Sequence, residues 1–341
     1  MKEISKFSTF AEKTRPGLRE QLRVAITSSA DHGTSALQEM ITYQLGWSGE
    51  NAGPKAEGKH IRPLLVLLAA EASGGEWQSA LPAAAAVELI HNFSLIHDDI
   101  EDSGTLRRGR PTVWKVWGVA QAINTGDTMF ALANLSLMNL EESLSVDTAL
   151  QVSKIFHTTC LRLTQGQHLD ILFEDLDMVS LEEYWQMVGG KTAALLAFSL
   201  EAGALCGVVP QDIQANYHDF GHYLGLAFQA QDDILGIWGN QDQIGKSNTG
   251  DLVTGKKTLP ILYGLTQKKG FYERWTEGSI TSEEAVNLSA ILEAEGARAY
   301  AQNTADQLTN LALAALEKAQ PQGESGQILR ELANKLLNRQ E

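Results

Sequence analysis

The stretch from Ile90 to Pro111, IHNFSLIHDDIEDSGTLRRGRP, constrains the rest of the chain more than any other. It sets Asp98, Asp99 and Asp102 at the end of a run with helical spacing, and Ser103-Gly104 stops that helix just beyond them. A helix C-terminus carries partial negative charge, so carboxylates are poorly placed there for stability. Asp98 and Asp102 are also i, i+4 neighbours and repel each other. At helical periodicity Val87, His91, Ser94, Asp98 and Asp102 share one stripe, a polar line on an otherwise apolar helix. Such a stripe suits a lined cavity, and Arg107, Arg108 and Arg110 follow at once. A divalent cation holding a polyanionic substrate would neutralise the acids, since Mg²⁺ is commonly bound by one or two carboxylates plus substrate phosphates. Taken alone, the acidic pair reads more readily as a solvated helix end.

A second pair changes that balance. The run Phe228 to Trp238, FQAQDDILGIW, puts Asp232 and Asp233 near another helix C-terminus, with Gln229 close to one turn earlier. The loop beyond supplies Lys246, Asp251, Lys256 and Lys257. Two carboxylate clusters on facing helices, converging on several Mg²⁺ ions and a diphosphate, account for both. Gly239 to Ser247 ends in GKS like a phosphate loop, but five residues separate Gly239 from Gly245 where that loop has four, and a helix precedes it. A nucleotide loop is therefore rejected.

The fold class follows from periodicity. Alternating strand patterns are scarce and most windows repeat at helical spacing. Helices are expected over Ser8–Ser29 (interrupted near Pro16), Thr34–Leu45, Ile61–Ala72, Ala80–Asp102 with Ser79 as N-cap, Thr112–Trp117, Val119–Leu140 and Val146–Phe173. Others follow over Ser180–Val188, opened by a Ser180/Glu183 capping box, and over Lys191–Cys206, Gln211–Trp238, Leu259–Gln267, Ser282–Glu295 and Gly296–Ala319, before a last helix. No solenoid repeat and no dividing linker appears, so residues 1–341 read as one all-α domain. A net charge of -15 leaves no bulk basic face for nucleic acid. Cys160 and Cys206 read as reduced core thiols, consistent with a cytoplasmic protein, and Met1 to Phe10 lacks signal-peptide character. Thr192 to Val209 has the length of a membrane span but carries Glu201 and a Gly203/Cys206/Gly207 end, so it reads as a buried helix.

Six motifs in order resemble the trans-isoprenyl diphosphate synthases, or polyprenyl synthetases, of the geranylgeranyl type. They are GKHIRP at Gly58–Pro63, HNFSLIHDDIED with RRGRP, GQHLD at Gly166–Asp170, GGKT at Gly189–Thr192, FQAQDDILG, and GKSNTGD followed by GKKT. The resemblance covers about Gly58 to Leu265. It implies an isoprenoid synthase-type helical bundle around a central apolar cavity, working as a homodimer. It implies head-to-tail condensation of an allylic diphosphate with isopentenyl diphosphate, driven by three Mg²⁺ ions.

By the same resemblance, Asp98, Asp102 and Asp232 are metal ligands, with Asp99, Asp170 and Asp233 behind them. Arg107, Lys191 and Lys256 clamp the allylic diphosphate, and Lys246 closes over it. Thr192, Gln229 and Asp170 stand beside the leaving group. Lys59, Arg62, His91 and Arg108 form the isopentenyl diphosphate pocket. Gln167 is as readily a helix-packing residue as a site residue. Phe93 and Ser94 set chain length, with Val87 about 16 Å below Asp98 at 1.5 Å per residue. Only Phe93 of the adjacent pair is bulky, which implies a C20 product, with C15 and C25 as neighbours. One departure stands out: the second acidic motif ordinarily ends in an acid, and that position is Gly236. A class I terpene cyclase would not need Lys59, Arg62 and Arg108, and a non-catalytic subunit would not need intact acids in both motifs.

Overall fold

The computed structural model describes residues 6–27, 34–239 and 250–337. Among these residues the secondary structure is helical apart from one short hairpin, so the fold is all-α. The chain forms two compact units, neither continuous in sequence: 1–160 with 198–215 and 320–329, and 161–197 with 216–319 and 330–341.

The first unit begins with α1 (Lys6–Thr27), α2 (Ser35–Gln44), a short α3 (Pro54–Glu57) and α4 (Ile61–Ala72). Next come α5 (Leu81–Glu101), the hairpin β1 (Leu106–Arg107) and β2 (Arg110–Pro111), α6 (Val113–Trp117) and α7 (Val119–Met138). The long α8 (Val146–Glu174) starts in this unit. Leu64 to Ala70 and Ala83 to Val87 are wholly buried, so α4 and α5 are covered on all sides over these turns. The four alanines Ala83–Ala86 keep α5 slim enough for close packing, and α7 approaches so tightly that a Cβ on Gly126 would meet His97 Nε2 at 2.4 Å. Gly203 and Gly207 work the same way against α4: their added Cβ atoms would strike Val66 O at 2.3 Å and Ser73 Cβ at 2.4 Å.

The second unit holds α9 (Leu181–Val188), a π-turn (Gly189–Ala193) leading into α10 (Ala194–Cys206), and α11 (Gln211–Trp238). It continues with α12 (Gly250–Thr254), α13 (Leu259–Gln267), α14 (Gly270–Thr276), α15 (Ser282–Ala294) and α16 (Ala297–Lys318). The last helix is α17 (Gly323–Leu337), and α8, α10, α11 and α17 each contain a unit boundary. The second unit's core runs from Phe173 and Tyr184 through Ile234 and Leu259 to Ala305.

Several local expectations change on folding. α1 runs through Pro16 without a break, because buried Phe10, Thr14, Leu18 and Leu22 fix its face on both sides of the proline. Ser79 is not the cap of α5. It lies in a 3₁₀ turn over Trp77–Ala80, where its hydroxyl donates to Glu76 O at 2.7 Å. Gly189-Gly190 does not end a helix but widens it into the π-turn. The Ser180/Glu183 capping box forms as expected, and Thr281 with Glu284 forms a second one. Among the described residues, the helix long and apolar enough for a bilayer is Trp77–Glu101 rather than the 192–209 run, and 67% of its most apolar window is buried.

Candidate active site

In the first unit the acid cluster sits at the end of α5. Asp99 is buried, Asp98 half-buried and Asp102 exposed. Arg107, on the hairpin that folds back beside them, donates from Nε to both Asp99 oxygens at 2.9 Å and from Nη2 to Asp98 Oδ2 at 3.3 Å. Burial pushes the Asp99 carboxyl up to about 6 against the pull of this guanidinium. Asp99 therefore anchors the arginine, and the arginine faces Asp98. Thr112 and Trp114 both donate to Gly104 O at 2.8 Å, fixing the turn after the helix, which Ser103 enters in the left-handed region at φ 52°. Arg110 is spent on backbone oxygens of Tyr43, Ser48 and Glu50 and is structural.

A basic pocket lies in the same unit. Arg62 Nη1 donates to His91 Nε2 at 3.3 Å. Burial, and then the charges of Arg62, Arg108 and Arg107, hold the His91 imidazole well below its usual range, so it is a neutral acceptor. Arg108, left-handed at φ 52°, reaches back to Ala56 O at 2.8 Å and Glu57 O at 2.9 Å. That reach requires Gly58: a Cβ there would lie 2.7 Å from the Arg108 guanidinium carbon. Glu88, 2% exposed, opposes Arg62 and Arg108 electrostatically and accepts from Asn92 at 2.8 Å. Arg62 Nε remains buried with no hydrogen-bond partner in the protein, a donor left for an anion. Lys59 is exposed at the edge of the same loop.

The second unit builds the other group. Gly166 of α8 and Gly190 of the π-turn touch backbone to backbone: a Cβ on Gly166 would lie 2.1 Å from Lys191 N, and one on Gly190 2.5 Å from Arg162 O. This contact joins GQHLD to GGKT and lets Lys191 Nζ pair with Asp170 Oδ2. Thr192 donates to Gln229 Oε1 at 3.0 Å, and Gln229 donates to Asp233 Oδ1 at 2.8 Å. Asp233 Oδ2 accepts from Tyr184 OH at 2.6 Å and from Leu259 N at 2.8 Å. Burial raises this carboxyl to about 6 although its donors pull it down. Asp232, next to it, is exposed, as is Lys256. Lys257 is turned to Glu174 O at 3.0 Å. Gly236, one turn after Asp232, has the Asp251 carboxylate against it. Lys246 lies outside the described residues.

Folding thus gathers Arg62, His91 and Arg108 in one pocket, Asp98, Asp99 and Arg107 in one cluster, and Asp170, Lys191, Thr192, Gln229 and Asp233 in one network. Sequence reasoning missed Glu88, though an acid inside the apolar run LPAAAAVELI was a visible signal. It also missed Tyr184, for which no local signal exists.

The polyprenyl synthetase model matches residues 51–291, more than half of the chain. The chain belongs to the polyprenyl synthetase family. Two proteins of Mycobacterium tuberculosis are similar over 83% of it: a (2E,6E)-farnesyl diphosphate synthase, 39% identical and 80% covered, and a geranylgeranyl diphosphate synthase, 38% identical and 82% covered. The crystal structure of a polyprenyl synthetase from Streptomyces coelicolor superposes with TM-score 0.87 at 35% identity, covering 96% of this chain and 99% of that one. This polyprenyl synthetase is accordingly a trans-prenyltransferase with the all-α isoprenoid synthase fold.

Proposed function

We propose that this polyprenyl synthetase condenses an allylic diphosphate with isopentenyl diphosphate head to tail and releases geranylgeranyl diphosphate. The observation that carries the two-diphosphate reading is the Arg62–His91–Arg108 cluster with its orphaned Arg62 Nε, whose cations are not the one paired with Asp98 and Asp99. A cyclase, which takes one diphosphate, has no use for it.

In this reading residues 1–341 act as one domain. Asp98, Asp102 and Asp232 would hold Mg²⁺, three ions in all. The donor set fits. All three are carboxylates, the hard oxygen ligands Mg²⁺ takes, with Asp98 half-buried and Asp102 and Asp232 exposed, so each can meet a substrate phosphate. When bound, Mg²⁺ would neutralise the charge that develops on the leaving diphosphate. Arg107, Lys191, Lys256 and Lys246 bind that diphosphate, with Thr192, Gln229 and Asp170 beside it. Lys59, Arg62, His91 and Arg108 hold isopentenyl diphosphate. The allylic C–O bond breaks and its electron pair leaves with the diphosphate. The terminal alkene carbon of isopentenyl diphosphate then attacks the allylic cation, and the departed diphosphate takes the proton released. Preorganised cations in this role are usually the largest catalytic contribution.

Chain length rests on the wall below Asp98. Ser94 is small and folds its hydroxyl onto His91 O at 2.8 Å. Phe93 packs on Phe130 of α7 and on His97, with ring centroids 5.4 and 4.6 Å apart. The bulky residue of the pair is therefore held against a neighbouring helix. Product analysis with labelled isopentenyl diphosphate and dimethylallyl, geranyl or farnesyl starters tests the proposal: C20 is expected, and a C15 end product would overturn it. Ser94→Phe is expected to shorten the product.

A homodimer is supported by exposed apolar side chains on α7 and the start of α8, among them Ile123, Leu135, Met138, Val146 and Leu150. Light scattering of the purified chain is expected to give twice the monomer mass. A cytosolic location accords with the free, buried Cys160 and Cys206.

A further inference from the structure

The second unit carries a cleft of about 650 Å³ whose side chains the proposed reaction does not use. A space of that size takes a small organic ligand. α8 contributes Arg162 and His168 to its lining, α9 contributes Trp185, and α11 contributes His218 and His222. The Arg162 guanidinium is exposed and makes no ion pair among the described residues. Trp185 packs on the core of the second unit and stands edge-on to Tyr184, ring centroids 4.9 Å apart, so its indole is a fixed flat surface. The His218 and His222 rings lie nearly parallel, 10° between planes and 6.2 Å between centroids. Burial holds the His222 imidazole below its ordinary range, and His218 and Arg162 add to this against Asp219. His222 is therefore a neutral ring in the field of Arg162. Asp219 pairs with His218 Nδ1 at 3.2 Å and does not line the cleft.

In a chain of net charge -15, a lining that holds an arginine and imidazoles but no carboxylate favours an anion. The fork of a guanidinium matches a phosphate. A fixed indole stacks a heteroaromatic ring, and the side-chain amides of Gln165 and Gln186, also in the lining, can donate to and accept from the edge of that ring. The apolar side chains here are Trp185 and Leu169, too few to cover a prenyl tail. We infer that this cleft binds a nucleoside monophosphate, with the phosphate on Arg162 and the base against Trp185. Gly189 and Gly190 also line the cleft, so the occupant braces the π-turn that carries Lys191 and Thr192. The rival is a cleft filled by water alone.

Titration calorimetry of the full chain with AMP in metal-free buffer separates the two. Wild type is expected to bind with a Kd of about 1 mM or tighter. Arg162→Ala should weaken binding about tenfold. That variant is expected to fold, because Arg162 meets Gly190 through its backbone oxygen and its side chain is exposed. Trp185→Leu keeps an apolar group on the core but removes the flat ring, and should weaken binding about fivefold. If it does not fold, Arg162→Ala decides. Inorganic phosphate and adenosine, each lacking half of the ligand, are expected to bind about tenfold more weakly than AMP. No binding by wild type, or an unchanged affinity in Arg162→Ala, overturns the inference. So does a loss in Arg107→Ala instead, which puts AMP on the catalytic cations, or equal binding of phosphate, which leaves a bare anion site. Amide exchange across Gly189–Ala193 is expected to slow with AMP in wild type and not in Arg162→Ala; unchanged exchange in wild type removes the bracing of Lys191 and Thr192. None of these measurements reads turnover, so their failure leaves the proposed function untouched.

Discussion

The ends of α5 and α11 solve one problem with different materials. Each helix carries two adjacent aspartates in its last two turns, one exposed or half-buried and one buried with its carboxyl raised to about 6. At α5 the buried Asp99 is held by a charge, Arg107, whose side chain is 30% exposed. At α11 the buried Asp233 is held by neutral donors from three places: Gln229, Tyr184 OH and the backbone of Leu259. The partner acid on the stripe differs too. Asp102 is the C-cap of α5 itself, whereas the carboxylate beside Gly236 comes from Asp251 on α12. The first cluster is thus nearly complete within one stretch of chain, and the second is assembled from four.

The largest expected effect is Asp98→Ala, which should lower kcat by about 10³-fold, on the scale of losing a main electrostatic stabiliser. Turnover near wild type would remove α5 from the metal site and break the parallel. Next, Asp233→Ala should destabilise the fold by about 3 kcal/mol in urea denaturation, because it strands the buried Tyr184 hydroxyl and Leu259 amide. Asp99→Ala should cost less, about 1–2 kcal/mol, since Arg107 can turn to water. Equal losses would show that the two anchors are equivalent after all. Gly166→Ala pushes a methyl into the Lys191 backbone and should cost about 1–3 kcal/mol while impairing turnover, because it parts Asp170 from Lys191. A stable, fully active variant would detach that contact from the α11 side of the site.

The smallest effect is with pH. The ordinary Asp value is 3.8, and Asp99 and Asp233 are both raised to about 6. Between those values the native protein keeps protons that the unfolded chain has lost. Their contribution therefore favours folding below about pH 4 and fades as pH rises through about 6. Asp233→Asn should flatten part of that slope in metal-free protein. A slope unchanged in this variant would leave Asp99 as its source.

The sequence by itself determined the helices, the α5 acid stripe, the basic run after it and the family, because these depend on neighbours three or four residues apart or on contiguous motifs. Two other features were visible locally and read wrongly. Pro16 does not break α1, and Ser79 does not cap α5, because buried contacts outweigh a single residue's local preference. Tertiary structure alone decided which groups meet. It set Gly58 under Arg108, Gly166 on Gly190 and Asp251 against Gly236, three places where a missing Cβ lets distant segments approach. It also brought Tyr184 to Asp233 across 49 positions of sequence. A buried carboxylate takes its donors from whatever the packing brings within reach, and no local pattern in the chain encodes that choice.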